Sequence, residues 1–545
     1  MQKPLNELLV NQGRMVSQSV AVNSSPANRS FAEKLSYRLE PLFSSLNTTR
    51  NLCLLIFLFT VIVSLCYRPF SQIVGGDSAI YDYIAQSILR GQLPYRDIAD
   101  IKFPGSVYLN ALAMWGGELI GIRDIYALRL FQIVELGLLS VFTFLVVELY
   151  LQSRAAALIA ALIPLLNDHY IGWAIIGTQP KLPMMMFGML SVLFIAKDKP
   201  FWAGFSSMLA CLCWQPGLLF TGTAGLICSG YLLKWRDLRA VKVIAGALIP
   251  LAVMLGYFYA KGAFDDFWAW TMQYNYSVFG PDANRGIGRG FRHLWRVLVR
   301  IFGADVFLVP LAVSGMVLYL HQRVQARIKR TGEDSSRSLL PPVLTGWQDA
   351  LLLPPLVYLL FSIVNLQGGP DLIPFFPFVA IFAGWFVVCV IRFVAARMKA
   401  FSPKCQSWAY GLIIASLLSV VAFRAVRYRI GGETLQDQLR KFQPVAEILA
   451  PDDKIYVHGT VELLVLLKRP NLNPYIFLDW GADEFAASRK AGGFAAIIDE
   501  MEAAKPKIVS LTRMVKIKHR AELEDWVATH YDKLDGVDRP IYIRR

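Results

Sequence analysis

Four aspartates, two arginines and a lysine crowd into residues 75–104, directly after the first long apolar run. The stretch opens as Gly75-Gly76-Asp77-Ser78-Ala79-Ile80-Tyr81-Asp82-Tyr83. It closes as Gly91-Gln92-Leu93-Pro94-Tyr95-Arg96-Asp97-Ile98-Ala99-Asp100-Ile101-Lys102-Phe103-Pro104. Ionisable side chains at bilayer depth are expensive, so such a cluster is expected to line a water-filled or headgroup site. An aspartate at the rim, with a Lys-x-Pro step back into apolar sequence, suggests chemistry on a lipid-linked phosphate.

The elements that must position these groups can be read from their spacing. Residues 78–90 predict a surface helix: Ile80, Tyr83, Ile84, Ser87 and Ile88 follow the i, i+3, i+4 pattern of a face on lipid. Asp82, Gln86 and Arg90 would share the opposite, solvated face. Asp77 stands where an N-cap belongs, at the helix end that favours a negative charge, and Gly91 closes the helix.

Around this island the chain is strongly apolar. Hydrophobic residues make up 55% of its 545 positions, and the mean hydropathy is +0.44. Twelve apolar runs lie between 52–67 and 408–423, which describes a polytopic helical membrane protein. The net charge of +15 sits largely in the connections 197–199, 234–242, 323–337 and 392–404, as expected of cytoplasmic loops rather than of a nucleic-acid surface. A cytoplasmic leader at 1–50, held inside by Lys34, Arg38 and Arg50, and a C-terminus outside require an odd number of spans. The weakest run, 103–120, carries Gly116-Gly117-Glu118 and is read as re-entrant or interfacial. About eleven to twelve spans are therefore expected over 51–428, with a first outside loop at 68–124.

From Arg429 the composition changes. Short β-rich runs at 454–457, 507–511 and 541–543 alternate with helical patterns at 436–449, 485–504 and 521–531, predicting a small α/β domain over 429–545 on the extracytoplasmic side. It carries no Gly-rich phosphate loop, nucleophile elbow or metal pattern, so its expected part is acceptor binding or covering the site. Six of the seven cysteines lie in apolar runs, and Cys211-Leu-Cys213 lacks metal spacing.

The order of these features resembles the C-type-fold membrane glycosyltransferases, specifically the bacterial relatives of protein O-mannosyltransferases and aminoarabinose transferases. The resemblance rests on an aspartate in the first outside loop, a helix ending in Gly91-x-x-Pro94-Tyr95-x-Asp97, then Asp100-x-Lys102-x-Pro104, and a later helix carrying Ala127-Leu128-Arg129-Leu130. It extends to Pro451-Asp452-Asp453-Lys454-Ile455-Tyr456-Val457, Lys468-Arg469-Pro470 and Ala504-Lys505-Pro506-Lys507-Ile508-Val509. The family's Asp-Glu is Asp77-Ser78 here, and its Lys-Pro-Pro is Lys102-Phe103-Pro104, so the motifs specify the fold better than the substrate.

The resemblance implies transfer of a sugar from a polyprenyl phosphate to an extracytoplasmic glycan, lipid or protein; no cofactor is expected, and no metal-ligand pattern is read in the sequence. The host membrane would be the bacterial inner membrane, with the site on its outer side. Asp77 is then the base candidate, against the plainer reading as a helix N-cap. Lys102 and Arg129 would face the donor phosphate, although an arginine heading an apolar run is also a common snorkelling anchor. Asp82 reads first as a solvated residue, Asp100 as a turn residue or a support for Lys102, and Lys181, with Gln179, as a weaker donor contact. The aromatic segment 261–296 reads by default as an interfacial belt. Its functional alternative, in the loop that also carries Arg285, is a lid over the sugar site with Arg289 or Arg292 reaching the phosphate. Outside this class stand a flippase for polyprenyl-linked sugars, whose internal repeats are not evident, and a non-catalytic scaffold of the same fold.

Overall fold

The structure is a computed structural model that describes residues 48–232, 238–279, 286–331, 346–398, 402–535, 537 and 539–545. The chain divides into two units, 1–55 and 56–545. Of the first, only the opening of the helix Thr49–Cys66 is described. Lys34, Arg38 and Arg285 lie outside the described residues.

Among the described residues, seven helical stretches are long and apolar enough to cross a membrane, and the bent pair Arg154–Leu166 and Asp168–Ile175 would make an eighth. Several of the other apolar runs among the described residues fold as helices too short for this count. The runs near 182–196 and 201–214 fold as helices of 16 and 14 residues, Lys181–Ala196 and Pro200–Cys213. At about 1.5 Å per residue these reach roughly 24 and 21 Å, short of a core about 30 Å thick. The run at 103–120 forms the 15-residue helix Gly105–Leu119, with Leu112, Trp115 and Leu119 exposed on one side.

Helix packing relies on small residues. Pro200–Cys213 lies so close to Arg239–Ala260 that a methyl group at Gly204 would stand 2.0 Å from the Val243 carbonyl oxygen, and one at Gly246 2.0 Å from that of Phe201. Such approach is how apolar helices gain dispersion contacts where water cannot drive them together.

The C-terminal part builds a four-stranded sheet from β1 (Ile455–His458), β2 (Ile508–Leu511), β3 (Tyr531–Lys533) and β4 (Ile541–Arg544), in the order β1-β2-β4-β3. β1 and β2 are parallel, with His458 opposite Leu511; the remaining pairs are antiparallel. β3 had no signal in the sequence, and the helical run at 485–504 is broken into Ala482–Ser488 and Gly493–Ala504 by two glycines at positive φ. The domain does not hang free. One apolar core joins Tyr95, Phe103, Phe258, Phe267 and Trp270 to Tyr456, Leu478, Phe494 and Trp526. A second joins Ala79, Tyr83 and Ile84 to Val461, Leu463 and Leu464.

Candidate active site

Gly76 adopts φ 62 and ψ −147, a conformation open in practice to glycine alone, and it is the residue that caps the helix Asp77–Leu89. Asp77 is therefore the first residue of the helix, not its N-cap as the sequence suggested. Its carboxylate makes no capping bond and its side chain is 54% exposed. The Arg513 guanidinium stands 4.0 Å away, at the limit of an ion pair.

The rest of that helix corrects the surface reading. Ala79, Tyr81, Asp82, Tyr83, Ile84, Ala85, Gln86 and Ser87 are all buried, because the C-terminal domain covers one side and Gly105–Leu119 packs on another. Asp82 is not solvated. Its carboxylate accepts the Thr178 hydroxyl at 2.6 Å. Burial pushes it up to about 7, against the lowering effects of that bond and of Arg129. The turn bearing Thr178 is pressed on the helix start: a methyl at Gly177 would lie 2.1 Å from Ser78 Oγ. Gln179 Nε2 stands 3.5 Å from the same hydroxyl.

Residues 95–104 are held by a dense set of bonds. The Tyr95 hydroxyl donates to the Lys102 carbonyl at 2.6 Å. The Ile101 carbonyl accepts from Gln215 at 2.8 Å and from Asn275 at 2.7 Å, and the Ala99 amide reaches Pro474 of the C-terminal domain at 2.9 Å. Asp100 is buried and accepts the amides of Ile101 and Lys102 at 2.7 and 3.3 Å. Burial lifts its carboxyl to about 6, with Lys102 and the two amides opposing. It is thus a support for the Lys102 backbone. The Lys102 ammonium donates to the Tyr81 hydroxyl. Among the described residues no carboxylate lies within ion-pair distance of it.

Asp77 and Lys102 line one cavity of about 900 Å³ together with Lys181. Lys181 is buried, 3.0 Å from Asp371 and with its ammonium 5.0 Å from the centre of the Trp214 ring. Leu218, Leu219, Val357 and Phe361 supply apolar wall. A smaller chamber of about 140 Å³ adjoins it through Asp77, Ile101 and Lys102. Its far side comes from the C-terminal domain: His458, Asp479, Trp480 and Arg513. A third cavity of about 680 Å³ shares Gly76, Gly459 and Arg513 with the chamber. It also holds Asp82, His169 and Gln179.

Arg129 is elsewhere. It is buried in Asp124–Leu151, donating to the Pro69 and Ile73 carbonyls, the second at 3.0 Å, and it lines none of these three cavities. Its place corrects the phosphate reading: it pins the segment that leads into Gly76. Arg289 and Arg292 likewise line none of these three cavities. Both are exposed on the helix Ile287–Phe302, where Arg292 lines a shallow groove with Phe291 and Trp295. The aromatic segment is divided: Trp268, Tyr276, Phe291 and Trp295 are exposed, as a belt would have them, while three others belong to the core. Phe267, Trp270 and Tyr274 are buried. Trp270 meets Phe485 at 5.1 Å between ring centres, and the Tyr274 hydroxyl donates to the Trp480 carbonyl at 3.0 Å. A π-helical turn, Ala269–Tyr274, puts Thr271 and Met272 on the large cavity, as such turns often do near functional sites. Among the described residues no three His, Cys, Asp or Glu side chains converge on a point that would suit a metal.

Sequence reasoning missed His458, Asp479, Trp480, Arg513 and Asp371. The first four lie more than three hundred positions from Asp77, and only the ends of the predicted strands at 454–457 and 507–511 hinted at two of them.

No protein-family model and no curated protein matches the sequence. Solved structures do. The structure of ArnT from Cupriavidus metallidurans bound to undecaprenyl phosphate aligns with a TM-score of 0.57 at 14% identity, over 90% of this chain and 97% of that one. The same protein in the apo state gives 0.55 at 13% identity, over the same shares. An Archaeoglobus fulgidus oligosaccharyltransferase gives 0.49 at 13% identity, over 84% of this chain and 69% of that one. At such identities the likeness is one of fold, and the ArnT alignments span nearly the whole of both chains. The protein is a multi-pass helical membrane protein with the C-type glycosyltransferase fold and a small C-terminal sheet domain.

Proposed function

We propose that the protein is an inverting glycosyltransferase that takes a sugar from a polyprenyl phosphate and transfers it to an acceptor hydroxyl on the extracytoplasmic side. The observation that carries the reading is the shared cavity: a half-exposed carboxylate, Asp77, and two ammonium groups, Lys102 and Lys181, in one apolar-walled space of about 900 Å³. A phosphate on a long apolar chain asks for that combination. The ArnT structure of the same fold, bound to undecaprenyl phosphate, supports a ligand of this kind.

In this mechanism the acceptor oxygen attacks the anomeric carbon and the bond from that carbon to the phosphate oxygen breaks. Asp77 takes the acceptor's proton, and the bonding electron pair leaves with the polyprenyl phosphate. A phosphate monoester is a weak base, so no acid is needed to protonate it. Fixed cations suffice, and Lys102 is the better placed because among the described residues no carboxylate lies within ion-pair distance of it, whereas Lys181 is held by Asp371. Arg129, Arg289 and Arg292 have no part in it. Asp82 and Asp100 act as supports.

The test is sugar transfer from a synthetic polyprenyl-phosphate sugar by the full chain in detergent, joined to lipid analysis of cells lacking the protein. Transfer in vitro and an accumulated polyprenyl-phosphate sugar in those cells are expected. A protein that carries the lipid across a bilayer and never transfers the sugar would overturn the reading in favour of a flippase. The sidedness has its own test: alkaline phosphatase fused after Arg545 should be active, and an inactive fusion would put the C-terminal domain in the cytoplasm.

A further inference from the structure

The chamber of about 140 Å³ beside Asp77 is not explained by lipid or phosphate binding. It is far larger than the roughly 15 Å³ that one water needs, and far smaller than the lipid-side cavity of about 900 Å³ that it joins through Asp77 and Lys102. Its outer wall is the carboxyl edge of the parallel pair β1 and β2. His458 ends β1, and Gly459 and Arg513 follow the two strands. In α/β sheets the carboxyl ends of parallel strands are where ligands gather.

His458 is the unusual residue here. It is fully buried and lines the chamber, yet among the described residues neither ring nitrogen has a hydrogen-bond partner. Buried polar atoms are rarely left so, because each gives up its water for nothing. Burial, with the Arg513 charge beside it, holds the imidazole down to about 4, so at neutral pH it carries one N–H donor and one acceptor nitrogen. A sugar hydroxyl, which both donates and accepts, is the natural complement. Trp480 completes the wall from a strained backbone, φ 60, with the Lys516 ammonium 3.2 Å from its ring centre. A bulky residue is kept in that conformation only where its surroundings over-determine it, and such outliers gather at ligand sites.

We propose that this chamber is the donor's sugar subsite, sized for a single hexose ring, and that His458 is a specificity residue that hydrogen-bonds the ring's hydroxyls. The proposal rests on the reading of a polyprenyl-phosphate sugar donor. It divides the donor between two walls: the membrane helices hold lipid and phosphate, and the C-terminal domain reads the sugar.

The experiment is binding of synthetic polyprenyl phosphate to the full chain in detergent. The lipid is used bare or carrying glucose, mannose or galactose, and the proteins are wild type, His458→Leu and His458→Gln. Wild type should bind one hexosyl lipid at least tenfold better than its epimers. His458→Leu should lose tenfold or more on that lipid with bare-lipid binding unchanged, and His458→Gln, which keeps a donor and an acceptor, should recover part of the loss. Unchanged bare-lipid binding also shows that each variant is folded. The subsite is overturned by equal losses on bare and hexosyl lipid, by no loss on either, or by a wild type that accepts the bare lipid and no hexosyl form. A wild type that binds neither lipid overturns the donor reading itself.

Discussion

The two sides of the helix Asp77–Leu89 use the same residue types to opposite ends. On the cavity side, Asp77 is half exposed at a glycine-capped start, and Lys102 nearby donates to a tyrosine hydroxyl, with no carboxylate within ion-pair distance among the described residues. On the other side, Asp82 is buried on Thr178, and Arg129, behind it, spends its donors on two backbone carbonyls. Charges that build the scaffold have their hydrogen bonds satisfied within the protein. The charges proposed to meet a ligand, Asp77 and Lys102, have fewer partners within the protein. The distinction is invisible in residue type and plain in partners.

That contrast can be tested by removing charges from each side in turn. The largest effect is expected for Asp77→Asn, which keeps size and removes the base: turnover should fall about a thousandfold or more while lipid-phosphate binding stays within about threefold. Wild-type turnover in this variant would end the base assignment. Lys102→Ala should cost about a hundredfold in transfer, roughly 3 kcal/mol, with weaker binding of the bare lipid phosphate as well.

Arg129→Ala sharpens the comparison because it removes a second cation, one that is buried and bonded to backbone. Two carbonyls would lose their donor, so thermal stability in detergent should drop by about 2–4 kcal/mol. Lipid-phosphate affinity of the folded fraction should remain near wild type. A selective loss of affinity with stability unchanged would return Arg129 to the phosphate site.

Asp82 adds a pH readout. Its carboxyl is held near 7 in the fold, against the usual value near 4. The folded state therefore binds this proton more tightly than the unfolded chain. The associated stability is fully present below about pH 4 and is lost as pH rises through about 7. Asp82→Asn removes the titration. Unfolding measured at pH 5 and pH 8 should show wild type losing a few kcal/mol more than the variant across that interval. Parallel pH curves for the two proteins would show that Asp82 does not carry a raised pKa. The smallest effect is expected for Arg289→Ala with Arg292→Ala, exposed and off the cavity: transfer should change by less than about threefold.

Much of the architecture could be read in the chain because it depends on local composition. Apolar runs must fold as helices in lipid whatever surrounds them, and a glycine pair before an aspartate marks a helix start. Alternating strand and helix patterns after Arg429 suffice for a small α/β domain. Asp77, Lys102 and the helix between them were legible for that reason.

What the sequence could not decide is which face of that helix meets what. Periodicity reports that Ile80 and Ile84 share a side, and it is silent on whether lipid or a folded domain covers them; here Ile84 belongs to one core with Val461 and Leu464 of the C-terminal domain. Nor can spacing reveal that a histidine at 458 and a tryptophan at 480 close the space beside residue 77, since nothing local links positions so far apart. By itself the sequence determined the membrane class, the helical fold and the residues able to do chemistry. Only the tertiary structure shows which of those residues share a cavity and which are buried in the scaffold, because a charged group's surroundings follow from the partners that packing brings to it.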